Sequence, residues 1–195
     1  ELAVAVHRPA LVDEAVATAR QAVGGLGDSR PELPALLDNL AAHLETRASM
    51  RGEPAGPAEA CELTARAAEV TPPGDPLRPV RFETLAHQLL AGIPAGGDSR
   101  AEAAARLGQA AEAALQAATA PVAPPGLRAR ARLVEARALT RLAVASPEPT
   151  LFDQATAAAV QALDALEDLD DVAAAGLAEL ARSLGHLHRA GAAND

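Results

Sequence analysis

The chain has 195 residues, 49% of them hydrophobic, with 26 acidic and 17 basic side chains and a formal net charge of -9. That charge argues against binding a phosphate backbone, and two Phe with no Trp or Tyr supply no platform for base stacking. No apolar run approaches the roughly 18 residues of a membrane span, and the single cysteine, Cys61, excludes an internal disulfide and cannot alone make a metal site.

In chain order, residues 1–8 resemble the tail of a helix, punctuated by Pro9. Apolar residues at Leu11, Ala15, Ala19, Ala22 and Val23 then recur at three-and-four spacing, which predicts an amphipathic helix stopped by Gly24 and Gly25. Ser29-Arg-Pro-Glu32 places a Ser cap, a Pro in the first turn and a Glu three residues on. The helix predicted from there to about Met50 buries Leu33, Leu36, Leu37, Leu40 and Leu44. Two further helices, over about 57–70 and 77–92, flank the Pro-rich joint Thr71–Pro79.

A second capping box, Ser99-Arg-Ala-Glu102, predicts a helix to about Ala118. Pro121, Pro124, Pro125 and Gly126 interrupt the chain before a helix over about 127–144, with Leu127, Ala131, Val134, Ala138 and Leu142 on one face. Thr150 is a candidate cap for a helix over about 150–167, and a last helix is expected over 171–189. The apolar residues are mostly Ala and Leu, which favour closely packed helices over strands, so the fold class expected is all-α.

The helices repeat. Pairs of alanines seven residues apart recur as Ala15 and Ala22, Ala60 and Ala67, Ala103 and Ala110, Ala155 and Ala162, with starts 45, 43 and 52 residues apart. Partner helices carry Leu40-Ala-Ala-His-Leu44, Leu85-Ala-His-Gln-Leu89 and Leu180-Ala-Arg-Ser-Leu184. Small residues at this spacing let helix axes approach to the short end of about 8 to 10 Å, while the leucines fill the remaining space.

This pattern resembles the tetratricopeptide repeat, and the long period with the Thr71–Pro79 joint looks like the extended repeats of actinobacterial multi-domain proteins, often found upstream of a CHAT protease domain. The Pro that closes the second helix in that family is matched by Pro72 alone, and nothing resembles a CHAT catalytic Cys/His pair. The resemblance implies one domain over 1–195, a right-handed solenoid of antiparallel helix pairs with about eight helices plus a truncated first one. Its units would fall at about 1–25, 29–70, 77–118 and 126–167, with a final helix over 171–190. The concave face would be lined by the Leu-bearing helices, whose groove-facing polar residues on the family pattern are Asp38, Glu45, Glu83, His87, Arg182 and His186.

No stretch carries catalytic chemistry. Cys61 follows a packing Ala and lies between Glu59 and Glu62, which disfavour a thiolate. The five His residues lack metal-ligand spacing, and Gly24-Gly-Leu-Gly27 neither follows a strand nor carries a Lys. The most polarised segment holds Arg128, Arg130, Arg132, Arg137 and Arg141 against Glu135 alone. It would either receive an acidic peptide through Arg137 and Arg141 or pair with the acidic run Asp164, Glu167, Asp168, Asp170 and Asp171 of the adjoining repeat.

The function expected is a non-catalytic, cytoplasmic scaffold that binds a peptide or helix of a partner, or another domain of the same longer chain, in its groove. No cofactor, metal, nucleic acid or membrane is expected to take part. The alternative is a regulatory segment of a larger CHAT-type protease or signalling protein. Self-association through the truncated N-terminal end is a third expectation.

Overall fold

The computed structural model describes residues 9–27, 30–93, 100–146, 148–167 and 185. Among them the chain forms seven α-helices and no strand: α1 (Pro9–Gly24), α2 (Leu33–Arg51), α3 (Ala58–Val70), α4 (Leu77–Ala91), α5 (Arg100–Thr119), α6 (Pro125–Ala145) and α7 (Pro149–Glu167). The expected helices in residues 1–8 and, apart from Gly185, 171–190 lie outside the described residues, as do Ser29, Ser99, Leu180, Arg182, Leu184 and His186.

The helix stops follow from local chemistry. Gly52 ends α2 in the left-handed conformation, φ 66°; its N–H donates to the Ser49 carbonyl, and the Glu53 N–H donates to that of Ala48. These two bonds cap carbonyls that have no partner inside the helix. At the end of α3 the Thr71 hydroxyl donates to the Ala67 carbonyl, and Pro72, lacking an N–H, cannot continue the helix. The Asp75 carboxylate accepts from the Leu77 N–H at 2.8 Å and so satisfies a free donor at the start of α4.

Two predicted caps are corrected. Helix α2 begins at Leu33 after Glu32, with no side-chain cap bond and with Pro34 in its first turn, so the Ser29 box lies upstream of the helix. Pro34 fits there because its missing N–H is one that the first turn leaves unpaired. Thr150 lies inside α7, which starts one residue earlier at Pro149.

Each helix packs on the next in sequence, and α4 also touches α6. The buried apolar residues accordingly form clusters between successive helices: α1, α2 and α3 share Val16, Leu40, Leu44 and Ala60; α6 and α7 share Ala129, Ala136, Ala158 and Ala162. The largest cluster joins α3 through α6 and contains Phe82, Leu85, Leu107, Leu127 and Val134. Ala60, Ala67, Ala110, Ala155 and Ala162 are wholly buried, in keeping with the close approach expected at these positions.

The face assigned to α1 is corrected too. Val12 and Val16 are its buried residues, whereas Leu11 is 39% exposed and Ala15 and Ala22 are only partly buried. Ala19 and Val23 of the expected face do pack on the core, and with Val12 and Val16 they form a three-and-four stripe that α1 turns inward. Helix α6 is buried on both sides: Leu127, Ala131, Val134 and Ala138 face the α3–α6 cluster, while Ala129 and Ala136 face α7.

No helix among the described residues is long and apolar enough to cross a membrane. Nor do these residues contain a group of three or more His, Cys, Asp or Glu able to hold a metal ion.

Candidate interaction cleft

Helical spacing brings Asp38, Ala41, Ala42 and Glu45 onto one face of α2, and Leu77, Val80, Arg81, Thr84, His87 and Gln88 onto one face of α4. The two faces, with Thr64 of α3 between them, enclose a cleft of about 470 Å³. Three of the residues expected in a partner-binding groove, Asp38, Glu45 and His87, therefore converge.

The cleft is held by a polar network. The Arg81 Nε donates to Asp38 Oδ2 at 2.8 Å, and its Nη1 donates to Thr71 Oγ1 at 2.9 Å. The Arg81 side chain is 7% exposed and that of Asp38 37%, so the cation is buried while its carboxylate partner keeps contact with water. Farther in, Glu45 Oε2 accepts from the Gly56 N–H at 3.2 Å. Glu45 Oε1 and Gln88 Oε1 are buried acceptors without a hydrogen-bond partner among the described residues. The cleft thus holds these two buried acceptors, and its exposed lining residues include Leu77 at 52%, Val80 at 38%, Thr84 and His87.

Glu83 does not line this cleft. It is 8% exposed and accepts from Arg130 of α6, at 2.8 Å from Nε and 3.2 Å from Nη2. The bond pairs two charged groups on helices that are not sequence neighbours, so Glu83 ties α4 to α6.

Three further arginines of α6 are engaged, each with a different partner. Arg128 donates to the Pro121 carbonyl, Arg132 to Glu135 at 2.7 Å, and Arg141 to the Leu90 carbonyl of α4 at 3.3 Å. Burial, with the adjacent Arg137 charge second, lowers the Arg141 pKa. Arg137 is exposed. Of the acidic run expected to pair with these arginines, Asp168, Asp170 and Asp171 lie outside the described residues.

Sequence reasoning passed over Arg81 and named Arg130 only as part of the basic segment, without its partner Glu83; Leu77, Val80 and Gln88 were passed over as well. A signal for the first two exists: Asp38 and Arg81 are 43 residues apart, Glu83 and Arg130 are 47 apart, and both separations are close to one repeat. Opposite charges one period apart on corresponding helices are the pattern to search for.

Cys61 does not line this cleft; it is 8% exposed, with its thiol donating to the Gly56 carbonyl at 3.7 Å. Burial first, and the Glu45 charge second, push its pKa above the ordinary 9.0, against a smaller opposing effect of Arg106. A group whose folded pKa is raised adds stability that is fully present below its unfolded value and is lost as pH rises through the folded one. Stability is therefore expected to fall as the solution is taken above about pH 9. Cys61→Ala should remove that component of the fall in a series of urea melts, and the native thiol should react slowly with a disulfide reagent at pH 8.

Compared with protein-family models, curated proteins and solved structures, the chain matches none.

Proposed function

We propose that this chain is a non-catalytic, cytoplasmic interaction module of tetratricopeptide type, a right-handed solenoid of antiparallel helix pairs that receives a peptide segment of a partner protein in the α2–α4 cleft. The observation that carries this function is the convergence of Asp38, Glu45 and His87 on one cleft along which Leu77 and Val80 are exposed. Exposed apolar side chains along a cleft offer a partner area to bury, and the few polar groups within give it orientation. Ties from α2 to α4 and from α4 to α6, through Asp38–Arg81 and Glu83–Arg130, support the side-by-side order of Leu-bearing helices that such a groove requires.

A double substitution, Leu77→Glu with Val80→Glu, tests the assignment because both side chains are exposed and should leave folding intact. In a quantitative pull-down against the unchanged chain, partners that occupy the cleft should fall at least about tenfold, and His87→Ala should give a smaller loss. Helicity and urea midpoint should remain within about 0.5 kcal/mol of the parent. Equal recovery of every partner by the parent and the double variant would refute the cleft as the binding site.

A further inference from the structure

A second groove opens on a different face of α4, between α3 and α5, and encloses about 560 Å³. Its floor is made by Phe82, Leu85 and Leu89. Phe82 and Leu85 are 9% exposed and Leu89 7%, against 0% for Leu33 and Leu37 and 2% for Leu44. The three side chains thus keep a small apolar surface open to this groove.

The rim is acidic. Glu62 and Glu69 of α3 and Glu112 of α5 line it, all three exposed, and none of the lining residues is basic. Arg78 stands over the Phe82 ring at 5.6 Å from its centre but is not among the residues lining the groove. Glu62 and Glu69 are seven residues apart on one helix, which sets their backbones about 10 Å apart along its axis. That is the spacing of two cations seven residues apart on another helix.

We propose that this α3–α5 groove docks a basic amphipathic helix of a partner protein, with apolar side chains on Phe82, Leu85 and Leu89 and Arg or Lys side chains against Glu62, Glu69 and Glu112. A helix laid in a groove buries a stripe of residues at three-and-four spacing, and an apolar floor between two helices accepts such a stripe. Complementary charge along the rim sets the helix register and discriminates against acidic sequences. The site is separate from the α2–α4 cleft and does not depend on it.

The test uses the full chain and two synthetic 18-residue amphipathic helices that share a leucine face, one flanked by Arg and the other by Glu. The Arg peptide should bind at least about tenfold more tightly than the Glu peptide in a fluorescence anisotropy titration. Glu62→Gln with Glu69→Gln should weaken the Arg peptide about tenfold while helicity is retained. A control, Glu53→Gln with Glu148→Gln, removes the same net charge from two exposed positions outside the groove and should leave binding unchanged. Leu77→Glu with Val80→Glu, in the other cleft, should also leave it unchanged. Failure of the Arg peptide to bind overturns the proposal, as does equal weakening by the control pair, which marks attraction by net charge alone. Loss of the Arg peptide in the Leu77/Val80 variant overturns it as well, because the peptide would then occupy the α2–α4 cleft.

Discussion

Gly56→Ala is expected to destabilise the chain by about 3 kcal/mol, the sum of a left-handed backbone imposed on a side-chain-bearing residue and a clash that cannot relax. Gly56 has φ 67°. A Cβ added there would fall on the Gln88 carbonyl oxygen and lie 3.0 Å from its carbon and 3.1 Å from the Gly92 nitrogen. All three contacts are backbone, where the α2–α3 loop crosses the end of α4, so relief requires two chain segments to separate. Separation would also disturb the Glu45–Gly56 bond and the carbonyl that Cys61 contacts. Gly52→Ala is the internal comparison. It has a similar φ of 66° but open space around a new Cβ, so its cost should be about 1 kcal/mol, from backbone conformation alone. Urea denaturation of the two variants measures the difference; equal losses would show that the backbone approach at Gly56 yields easily.

Asp38→Ala should cost about 3 kcal/mol, whereas Arg81→Met should cost about 1 kcal/mol, although each removes the same ion pair. The asymmetry follows from burial. Removing Asp38 leaves a guanidinium whose side chain is 7% exposed, with the Thr71 hydroxyl as its remaining bonded neighbour among the described contacts. Removing Arg81 leaves Asp38, 37% exposed and able to turn to water, and a Thr71 hydroxyl still donating to Ala67. The partial exposure of Asp38 admits some water to the site, which places its loss at the low end of the range for breaking buried pairs. Thermal and urea melts of both variants decide the point, and a larger loss for Arg81→Met would reverse this ordering. Exposed pairs give a contrasting baseline: Arg20–Glu59 and Arg51–Asp13 join α1 to α3 and α2 at the surface, and truncating either should leave the melts nearly unchanged.

The helices were legible because their punctuation is local. Gly24, the Thr71–Pro79 joint, and the Pro-rich interruption before α6 each act on a backbone within a few residues, and the seven described helices fall close to the predicted spans. Caps were less legible, since Ser29 and Thr150 offer the right side chains but the chain around them decides where the first turn closes. Part of the candidate cleft could also be read: Asp38, Glu45 and His87 share it, while Glu83, assigned to the same face, is buried against Arg130. Arg81 escaped notice because a charged residue in an amphipathic helix ordinarily faces water, and its burial depends on Asp38 and Thr71 arriving together.

By itself, the amino-acid sequence determined the all-helical class, the helix limits and the small-residue spacing that permits close packing. Those properties depend on backbone chemistry and periodicity, which act over a turn or two. Tertiary structure alone decided which face of each Ala-rich helix turns inward, because neighbouring positions are about 100° apart and alanine on several faces leaves the rotation open. That rotation sets Val12 rather than Leu11 inside, buries α6 on two sides, and brings Arg81 to Asp38 and Arg130 to Glu83 across about one repeat of chain.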